Sequence, residues 1–210
     1  SRCGECHEKM HDEWSRSPHA HTNDSPVYQA LRDRAEAGAC NRCHEPLADL
    51  GGTAEFVRKD DVSCEVCHRI ERVTIHATSV DAPLERAHGT KYGPRCDVEP
   101  PYFHRAECRP LFSKAEMCAA CHLLAVPRPD GTTLPVHTEY SDWQKSSYAK
   151  RGKTCQSCHM RPGVVAELAT GEPEREDVPD HGFWGEKSRL RGTGLSAHAE
   201  AAVRAGEAAV

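Results

Sequence analysis

Five copies of one short motif constrain this chain of 210 residues more than any other feature. Each copy has two cysteines separated by two residues, with a histidine directly after the second cysteine. In a chain with 12 cysteines and 14 histidines, chance would supply about 0.05 such matches. The copies consist of Cys3, Cys6 and His7; Cys40, Cys43 and His44; Cys64, Cys67 and His68; Cys118, Cys121 and His122; and Cys155, Cys158 and His159.

C-x-x-C-H is the pattern by which haem c is attached to a polypeptide. Each thiol adds to one vinyl group of the porphyrin, and the histidine reaches the iron from the proximal side. The alternative is structural zinc, which would combine the cysteine pairs two by two and leave one of the five unmatched. Zinc would also not require a histidine after every second cysteine. We therefore predict five haem c groups, held by all of the motif residues.

The composition agrees with a core that is not made of side chains. Only 38% of residues are hydrophobic and 6% are aromatic, so the chain buries little apolar surface of its own. We expect the porphyrins to form the hydrophobic core and the chain to depend on them for folding. Residues 1–190 would form one pentahaem cytochrome c domain, followed by a C-terminal tail, 191–210, that looks helical.

The predicted fold is mainly α, with long irregular loops wrapped around a haem core and little or no sheet. Segments 3–15, 25–37, 113–122 and 139–150 have the composition of helices, and no segment shows a convincing alternation of strand type. Connections rich in proline and glycine, 77–110 and 126–135, are expected to wrap haem edges. Cys40 and Cys64 begin the two motifs with the shortest gap, so their haems are predicted to be near neighbours.

Two cysteines, Cys96 and Cys108, lie outside the motifs. In an oxidising compartment such a pair normally forms a disulfide. Closing a loop of this size would stabilise the fold by about 3 kcal/mol. Two free thiols are the alternative.

Nine histidines outside the motifs are candidates for the distal side of the irons. Methionine is a poor candidate because the chain has only three, so bis-histidine ligation is expected. His19 is best placed, within the segment W-x-x-S-x-H-A. The segment recurs later with Tyr148 in place of His19, so that copy has either lost a ligand or uses Tyr148 for packing.

The other histidines have weaker arguments. His104 follows a proline-rich loop at the entry to the fourth motif, and His181 lies in D-H-G-F after the last motif. His88 and His137 are further metal-ligand candidates, and His11 could face a haem other than that of His7. The histidines predicted to be surface residues are His21, His76 and His198.

The sequence also limits location and partners. The formal net charge of -5 provides no basic stripe for nucleic acid, and no apolar stretch approaches the 18 residues or so of a membrane span. Haem c attachment is completed outside the cytoplasm, so we expect a secreted, periplasmic or extracellular protein whose signal peptide is not in this chain. Haem charges would bring the oxidised holoprotein near -10, which favours docking on basic patches of redox-partner proteins.

Several motifs together resemble one superfamily of multihaem cytochromes. They are C-x-x-C-H followed by W-x-x-S-x-H-A, a late T-C-Q-S-C-H-M and a trailing D-H-G-F. The superfamily contains the tetrahaem electron-transfer cytochrome of nitrification, hydroxylamine oxidoreductase and pentahaem nitrite reductase. The resemblance implies closely packed haem pairs, distal ligation by His19, His104 and His181, and a mainly helical shell.

The chain also departs from these relatives. Pentahaem nitrite reductase uses a lysine as the proximal ligand of its catalytic haem, whereas all five motifs here end in histidine. Hydroxylamine oxidoreductase has eight haems, and this chain has motifs for five. Neither enzyme is therefore a direct match.

Three functions are compatible with these features. The first and preferred is electron transfer between redox partners, with no catalytic residues. The second is a haem enzyme with one open iron that reduces or oxidises a small nitrogen compound. The third is a conducting subunit of a filament, formed by self-association, or of a respiratory membrane complex.

Overall fold

The computed structural model describes residues 2–24, 26–32, 40–48, 61–76, 79–86, 89–98, 102–161 and 165–183. Within these ranges the chain forms eight α-helices, none longer than eight residues, and eight strands in four two-stranded sheets. The prediction of a mainly α fold with little or no sheet is therefore wrong. The physical reason is length, because strands of two to five residues are too short to show an alternating pattern in the sequence. The predicted tail, 191–210, lies outside the described residues.

The helices are short and lie next to the motifs or on them. The predicted helix over 3–15 is divided, with a 3₁₀ turn at Cys3–Glu5 before the first α-helix. The predicted helix over 139–150 is interrupted at Ser146. The α-helices are α1, Glu8–Ser15; α2, Pro26–Arg32; α3, Asn41–His44; α4, Cys64–Cys67; α5, Glu116–His122; α6, Glu139–Lys145; α7, Ser147–Lys150; and α8, Gln156–His159. Two further 3₁₀ turns are Pro18–His21 and Pro110–Ser113.

One helical turn brings the two cysteines and the histidine of a motif together. In four motifs the N–H of the histidine donates to the carbonyl of the first cysteine, at 2.8 to 3.1 Å. This bond closes a turn in which residues three and four apart share one side. The four histidines are His7, His44, His68 and His159, and the fourth motif lies within α5.

The four sheets are all two-stranded, and three are antiparallel. They pair β1, Thr74–Ile75, with β2, Val80–Asp81; β5, Leu124–Pro127, with β6, Thr133–His137; and β7, Ala166–Glu167, with β8, Glu174–Arg175. The remaining pair, β3, Thr90–Gly93, and β4, Arg105–Cys108, is parallel. The segment 126–135, predicted to be a loop, is thus largely part of the β5–β6 hairpin.

The Cys96–Cys108 disulfide is present, so this prediction is confirmed. The two Cα atoms are 5.0 Å apart, within the normal range for a disulfide. Cys108 ends β4 beside Gly93 of β3, so the disulfide closes the connection between the two parallel strands. That connection leads directly to His104.

The W-x-x-S-x-H-A segment and its later copy have the same local backbone structure as well as a similar sequence. In both copies the serine N–H donates to the carbonyl of the tryptophan three residues earlier, at 2.8 and 2.9 Å. Ser17 and Ser146 are both extended, with ψ of 159° and 163°, and each begins a new short helix. His19 and Tyr148 therefore occupy the same position, the second residue of that helix.

Side chains alone form only a small core. The described residues contain two buried apolar clusters, one around Leu47, Val62 and Val66, the other around Ala115, Ala119 and Tyr140. The second cluster packs on the fifth motif through Cys155. The described residues also enclose a large cavity.

Candidate functional site

A cavity of about 2430 Å³ is lined by residues from all five motifs. Pockets for a single small molecule are usually about 300–1,000 Å³. The chain folds so that motifs far apart in sequence face one space large enough for several large ligands. Of the predicted distal histidines, those that also line it are His19, His104, His137 and His181. His88 lies outside the described residues.

Thiols of different motifs are in contact inside this cavity. The contacts join Cys3 with Cys64, Cys43 with Cys121, and Cys118 with Cys155. These pairs bring the first motif to the third, the second to the fourth, and the fourth to the fifth. None of them joins the second motif to the third, whose haems we predicted to be neighbours from the short gap between them.

Hydrogen bonds between thiols lower the pKa of some motif cysteines, and burial raises the pKa of others. A hydrogen bond from Cys121 lowers the pKa of Cys43 to about 6, and one from Cys118 lowers that of Cys155 to about 7. Burial raises the pKa of Cys67 to about 11. The motif cysteines therefore differ in reactivity, because the thiolate is the nucleophilic form of cysteine.

Four pairs of histidine rings in the cavity have nearly the same separation, and the three that share no residue are considered first. A metal–imidazole bond is about 2.0 Å long and a ring nitrogen lies about 1.1 Å from the ring centroid, so two imidazoles on opposite sides of one iron have centroids about 6.2 Å apart. The observed separations are 6.2 Å for His7 and His104, 6.3 Å for His68 and His181, and 6.2 Å for His19 and His122. Each pair combines one motif histidine with one predicted distal histidine.

Four of these rings use Nδ1 to bind a backbone carbonyl. A histidine that ligates a metal typically donates its other ring N–H to a carbonyl or carboxylate, which fixes the tautomer and the ring orientation. With Nδ1 so engaged, Nε2 carries the lone pair that an iron needs. The bonds run from His7 to Leu168, from His68 to Tyr92, from His181 to Pro179, and from His104 to Arg105, at 2.5, 2.7, 2.9 and 3.2 Å.

Burial keeps the central histidines neutral. Desolvation is the main cause that lowers the pKa of His68 and of His19 to about 4, and it also lowers the pKa of His181. A neutral imidazole is the form that binds a metal. The Nδ1 atom of His19 is buried and has no hydrogen-bond partner among the described residues.

The fourth motif has a carboxylate partner in place of a carbonyl. Oε1 of Glu139 lies 3.9 Å from Nδ1 of His122 and 3.7 Å from Nδ1 of His137. The two histidines hold the pKa of this carboxyl well below its usual range, and the carboxylate in turn raises the pKa of His137. The ring of His137 is also 6.3 Å from that of His122.

The second and fifth motifs have different surroundings. The His44 ring stacks on Tyr28, with centroids 3.9 Å apart and planes within 11°, which is too close for a porphyrin between them. His159 is exposed. In the part of the chain that the structure describes, neither motif histidine has a second histidine ring at the 6.2–6.3 Å separation.

The remaining candidates separate into cavity and surface residues. His11 lines the cavity and packs on Trp14, with ring centroids 5.5 Å apart. His21 and His76 are exposed, as predicted, and each forms an ion pair with an aspartate. Tyr148 also lines the cavity but is 56% exposed, with the guanidinium of Arg151 5.1 Å from its ring centroid. His198 lies outside the described residues.

Two functional features were missed in the sequence. A Cβ at Gly4, inside the first motif, would lie 2.7 Å from Cγ of His11, so any larger residue there would force the His11 ring to move. Glu139 faces two histidine rings. A carboxylate near a histidine in sequence is too common to indicate such a contact, and only the close approach of α5 and β6 reveals it.

The residues of the cavity fit haem c better than zinc. Structural zinc needs four converging ligands, and over the described ranges no group of three or more His, Cys, Asp or Glu side chains is arranged to hold a metal ion. The cavity instead offers thiol pairs, single opposed imidazoles and apolar surface. Tyr102 and Phe103, beside His104, also line it and are 94% and 82% exposed, so they add apolar surface to its wall.

Comparisons with known proteins agree with this interpretation. Residues 2–69 match the family described as cytochrome c554 and c-prime, a segment that contains the first three motifs and His19. No curated protein and no solved structure matches the chain. Over the described residues, no helix has the length and apolar character needed to cross a membrane. The matched segment supports a c-type cytochrome family, with covalently bound haem and a haem-based role in electron transfer.

Proposed function

We propose that this chain is a pentahaem cytochrome that relays electrons between redox-partner proteins outside the cytoplasm. The observation that carries the proposal is that all five C-x-x-C-H motifs line one cavity of about 2430 Å³. Haem c, when bound, supplies one-electron chemistry at its iron. The work of the protein is then to hold the groups close together, to ligate them and to limit access of water.

The five motifs would hold the haems, and opposed histidines would complete three of the irons. His104 would serve the iron of His7, His181 that of His68, and His19 that of His122. The ring separations of 6.2–6.3 Å support these assignments. For the first two pairs, the Nδ1 bonds to backbone carbonyls also leave Nε2 available. Bis-histidine ligation gives lower potentials than histidine–methionine ligation.

The contacts between motifs support two groups of neighbouring haems. Thiols of the first and third motifs are hydrogen-bonded, as are those of the second and fourth and of the fourth and fifth. Cys67 of the third motif is near enough to Cys118 and Cys121 of the fourth to raise their pKa values, which connects the two groups. Electron transfer needs such proximity and no acid–base machinery, so we assign no catalytic residues.

Location and partners follow from the chemistry of attachment and from charge. Because haem c is attached outside the cytoplasm, a periplasmic or extracellular location is proposed. The chain has a formal net charge of -5, and the haem propionates would add to it. Redox partners with basic docking patches are therefore favoured.

A second candidate, a haem enzyme, is favoured by one observation at the fifth motif. His159 is exposed and has no opposed histidine ring among the described residues. Tyr148 lines the same cavity where the first repeat has a histidine. An iron without a distal ligand at the fifth motif would bind small molecules, as an enzyme requires. In a filament, a histidine from a second copy of the chain would instead ligate that iron.

Haem content and spin state test the proposal. The protein would be produced with the haem c attachment machinery, and its intact mass measured. Five haems are expected, and a zinc content in their place would reject the proposal.

The electron paramagnetic resonance spectrum of the oxidised protein, with a cyanide or nitric oxide titration, then separates the candidates. Low-spin irons that bind no ligand indicate a conduit, whereas one high-spin iron that binds ligand indicates an enzyme or an incomplete filament.

A further inference from the structure

The tryptophan of each copy of the repeat binds a residue that lies just before a C-x-x-C-H motif. In the first copy, the indole N–H of Trp14 donates to the carbonyl of Val62 at 2.9 Å. In the second copy, the indole N–H of Trp143 donates to the carbonyl of Lys153 at 2.7 Å. Val62 lies two residues before the third motif, and Lys153 lies two residues before the fifth. Each tryptophan is therefore bound to the start of a different attachment site.

The same two residues are also held through their backbone N–H groups. Val62 donates to the carbonyl of His19 at 3.1 Å, and Lys153 donates to the carbonyl of Tyr148 at 3.0 Å. His19 and Tyr148 are equivalent positions of the two copies. In each copy, one repeat thus binds both backbone groups of the residue before a motif, and we call this pair of hydrogen bonds the clamp.

The backbone that enters each clamp is also alike. Asp61 and Gly152, one position before the clamped residue, have left-handed φ values of 44° and 69°. This region is uncommon for a residue other than glycine, and the Asp61 carboxylate accepts from the Thr22 hydroxyl and the Asn23 N–H, at 2.6 and 2.8 Å. The tryptophan and the clamped residue are 48 positions apart in the first copy and 10 in the second. Connections of very different length therefore reach a motif by the same turn and the same clamp.

The first clamp involves a residue that also faces another haem site. The ring of His19 lies 6.2 Å from that of His122 and is the proposed distal ligand at the fourth motif, while the carbonyl of His19 belongs to the clamp of the third. Thiol contacts group the third motif with the first, and the fourth with the second and fifth. The first clamp therefore lies at the junction of the two groups of haems. The second copy has Tyr148 in place of the ligand, so its clamp holds the fifth motif alone.

We propose that Trp14 is a positioning residue: by holding Val62 against the backbone of His19, it fixes the third haem relative to the fourth. The inference rests on the proposed function. The protein's task in an electron-transfer chain is to orient its cofactors, and these two haems belong to different groups. Electron transfer between the groups would then depend on a hydrogen bond made by a residue that ligates no iron.

Hydrogen exchange of the haem-loaded Trp14→Phe variant, measured by mass spectrometry, tests the clamp directly. Phenylalanine keeps an aromatic ring but has no N–H, so the Val62 carbonyl loses its donor. The amide of Val62 should then exchange about fivefold faster, which corresponds to one hydrogen bond of about 1 kcal/mol.

Two control variants show whether the effect is local. Trp143→Phe should speed exchange at Lys153 by a similar factor and leave Val62 unchanged. Ser15→Ala removes a hydrogen bond of 2.8 Å to the carbonyl of Asp12, next to Trp14 in the chain, and should change neither amide.

The haem signals test whether the clamp positions the haems. In the oxidised protein, Trp14→Phe should shift the low-spin electron paramagnetic resonance signals of the third and fourth haems, because the directions of their ligands change. The two signals are identified with His181→Ala and His19→Ala, which remove the proposed distal ligands. Trp143→Phe should leave both signals in place.

Specific results would overturn the inference. It is wrong if Trp14→Phe leaves exchange at Val62 unchanged, or if exchange rises while both haem signals stay in place, since Trp14 would then have only a structural role. It is also wrong if Ser15→Ala or Trp143→Phe shifts the same two signals. These failures are distinct from failure of the proposed function, which would appear as a wild-type protein without five haems.

Discussion

At the scale of single residues, the site is defined by whether Nδ1 or Nε2 of each histidine is already hydrogen-bonded. His7, His68, His104 and His181 all direct Nδ1 to a backbone carbonyl. His21 has both nitrogens bonded, to Asp24 and to the carbonyl of Ser15, and is exposed. The hydrogen bonds thus separate histidines whose Nε2 is available to a metal from a surface histidine whose two nitrogens are both occupied.

Removing a distal ligand should change the spin state of one haem. His104→Ala deletes the ring that we propose as the ligand opposite His7, so that iron would lose its sixth ligand and become high-spin. Electron paramagnetic resonance of the oxidised variant measures this. His21→Ala, the control, should leave the spectrum unchanged, and an unchanged spectrum for His104→Ala would withdraw its assignment.

Gly4→Ala should destabilise the protein through a single methyl group. The new Cβ would lie 2.7 Å from the His11 ring, and relieving such overpacking costs about 1–3 kcal/mol. Thermal unfolding of the holoprotein measures the loss. Gly89→Ala is the control, because a Cβ there meets nothing within 4 Å. Adding His11→Ala to Gly4→Ala should recover much of the loss, and equal losses for the two glycine variants would refute the clash.

At the scale of elements, short helices and two-stranded sheets carry the ligands to the cavity. In the repeat, an extended serine ends one helix and begins the next, which places the residue two positions later toward the cavity. The two copies of the repeat differ in the hydrogen bonds of the serine hydroxyl. Ser146 caps α7 with its side chain, whereas Ser17 is fully buried and its hydroxyl has no partner among the described residues.

Ser146→Ala should therefore weaken the second copy of the repeat. Its hydroxyl oxygen accepts from the N–H groups of Tyr148 and Ala149, at 3.1 and 3.4 Å, and losing a helix cap of this kind costs about 1 kcal/mol. Chemical denaturation of the holoprotein measures the change. Ser147→Ala, at the exposed neighbouring position, should cost less than half as much. Equal effects would mean that the cap contributes nothing.

At the scale of the whole molecule, the described residues enclose a cavity of about 2430 Å³ and form only two buried apolar clusters of three residues each. Clusters of this size cannot offset the conformational entropy lost when a chain of this length folds. The porphyrins would supply the missing apolar surface, and ligand bonds would join segments that are far apart in the sequence.

The protein without haem should consequently not fold cooperatively. Chain produced without the attachment machinery should show no sharp thermal transition by circular dichroism, whereas the haem-loaded chain should show one. The disulfide is kept in both samples, so its effect cancels. A cooperative transition in the haem-free chain would show that side chains alone suffice for the fold.

The sequence by itself determined the local chemistry. A C-x-x-C-H motif is complete within one helical turn, so the five motifs, the Cys96–Cys108 pair and the repeat around His19 and Tyr148 could be recognised without a fold. Which histidine faces which was decided only by the tertiary structure, because the members of each pair lie far apart in the chain. The contacts of Glu139 were found in the same way. The small sheets mostly pair strands that are near in sequence, but strands of two to five residues are too short to leave a periodic signal.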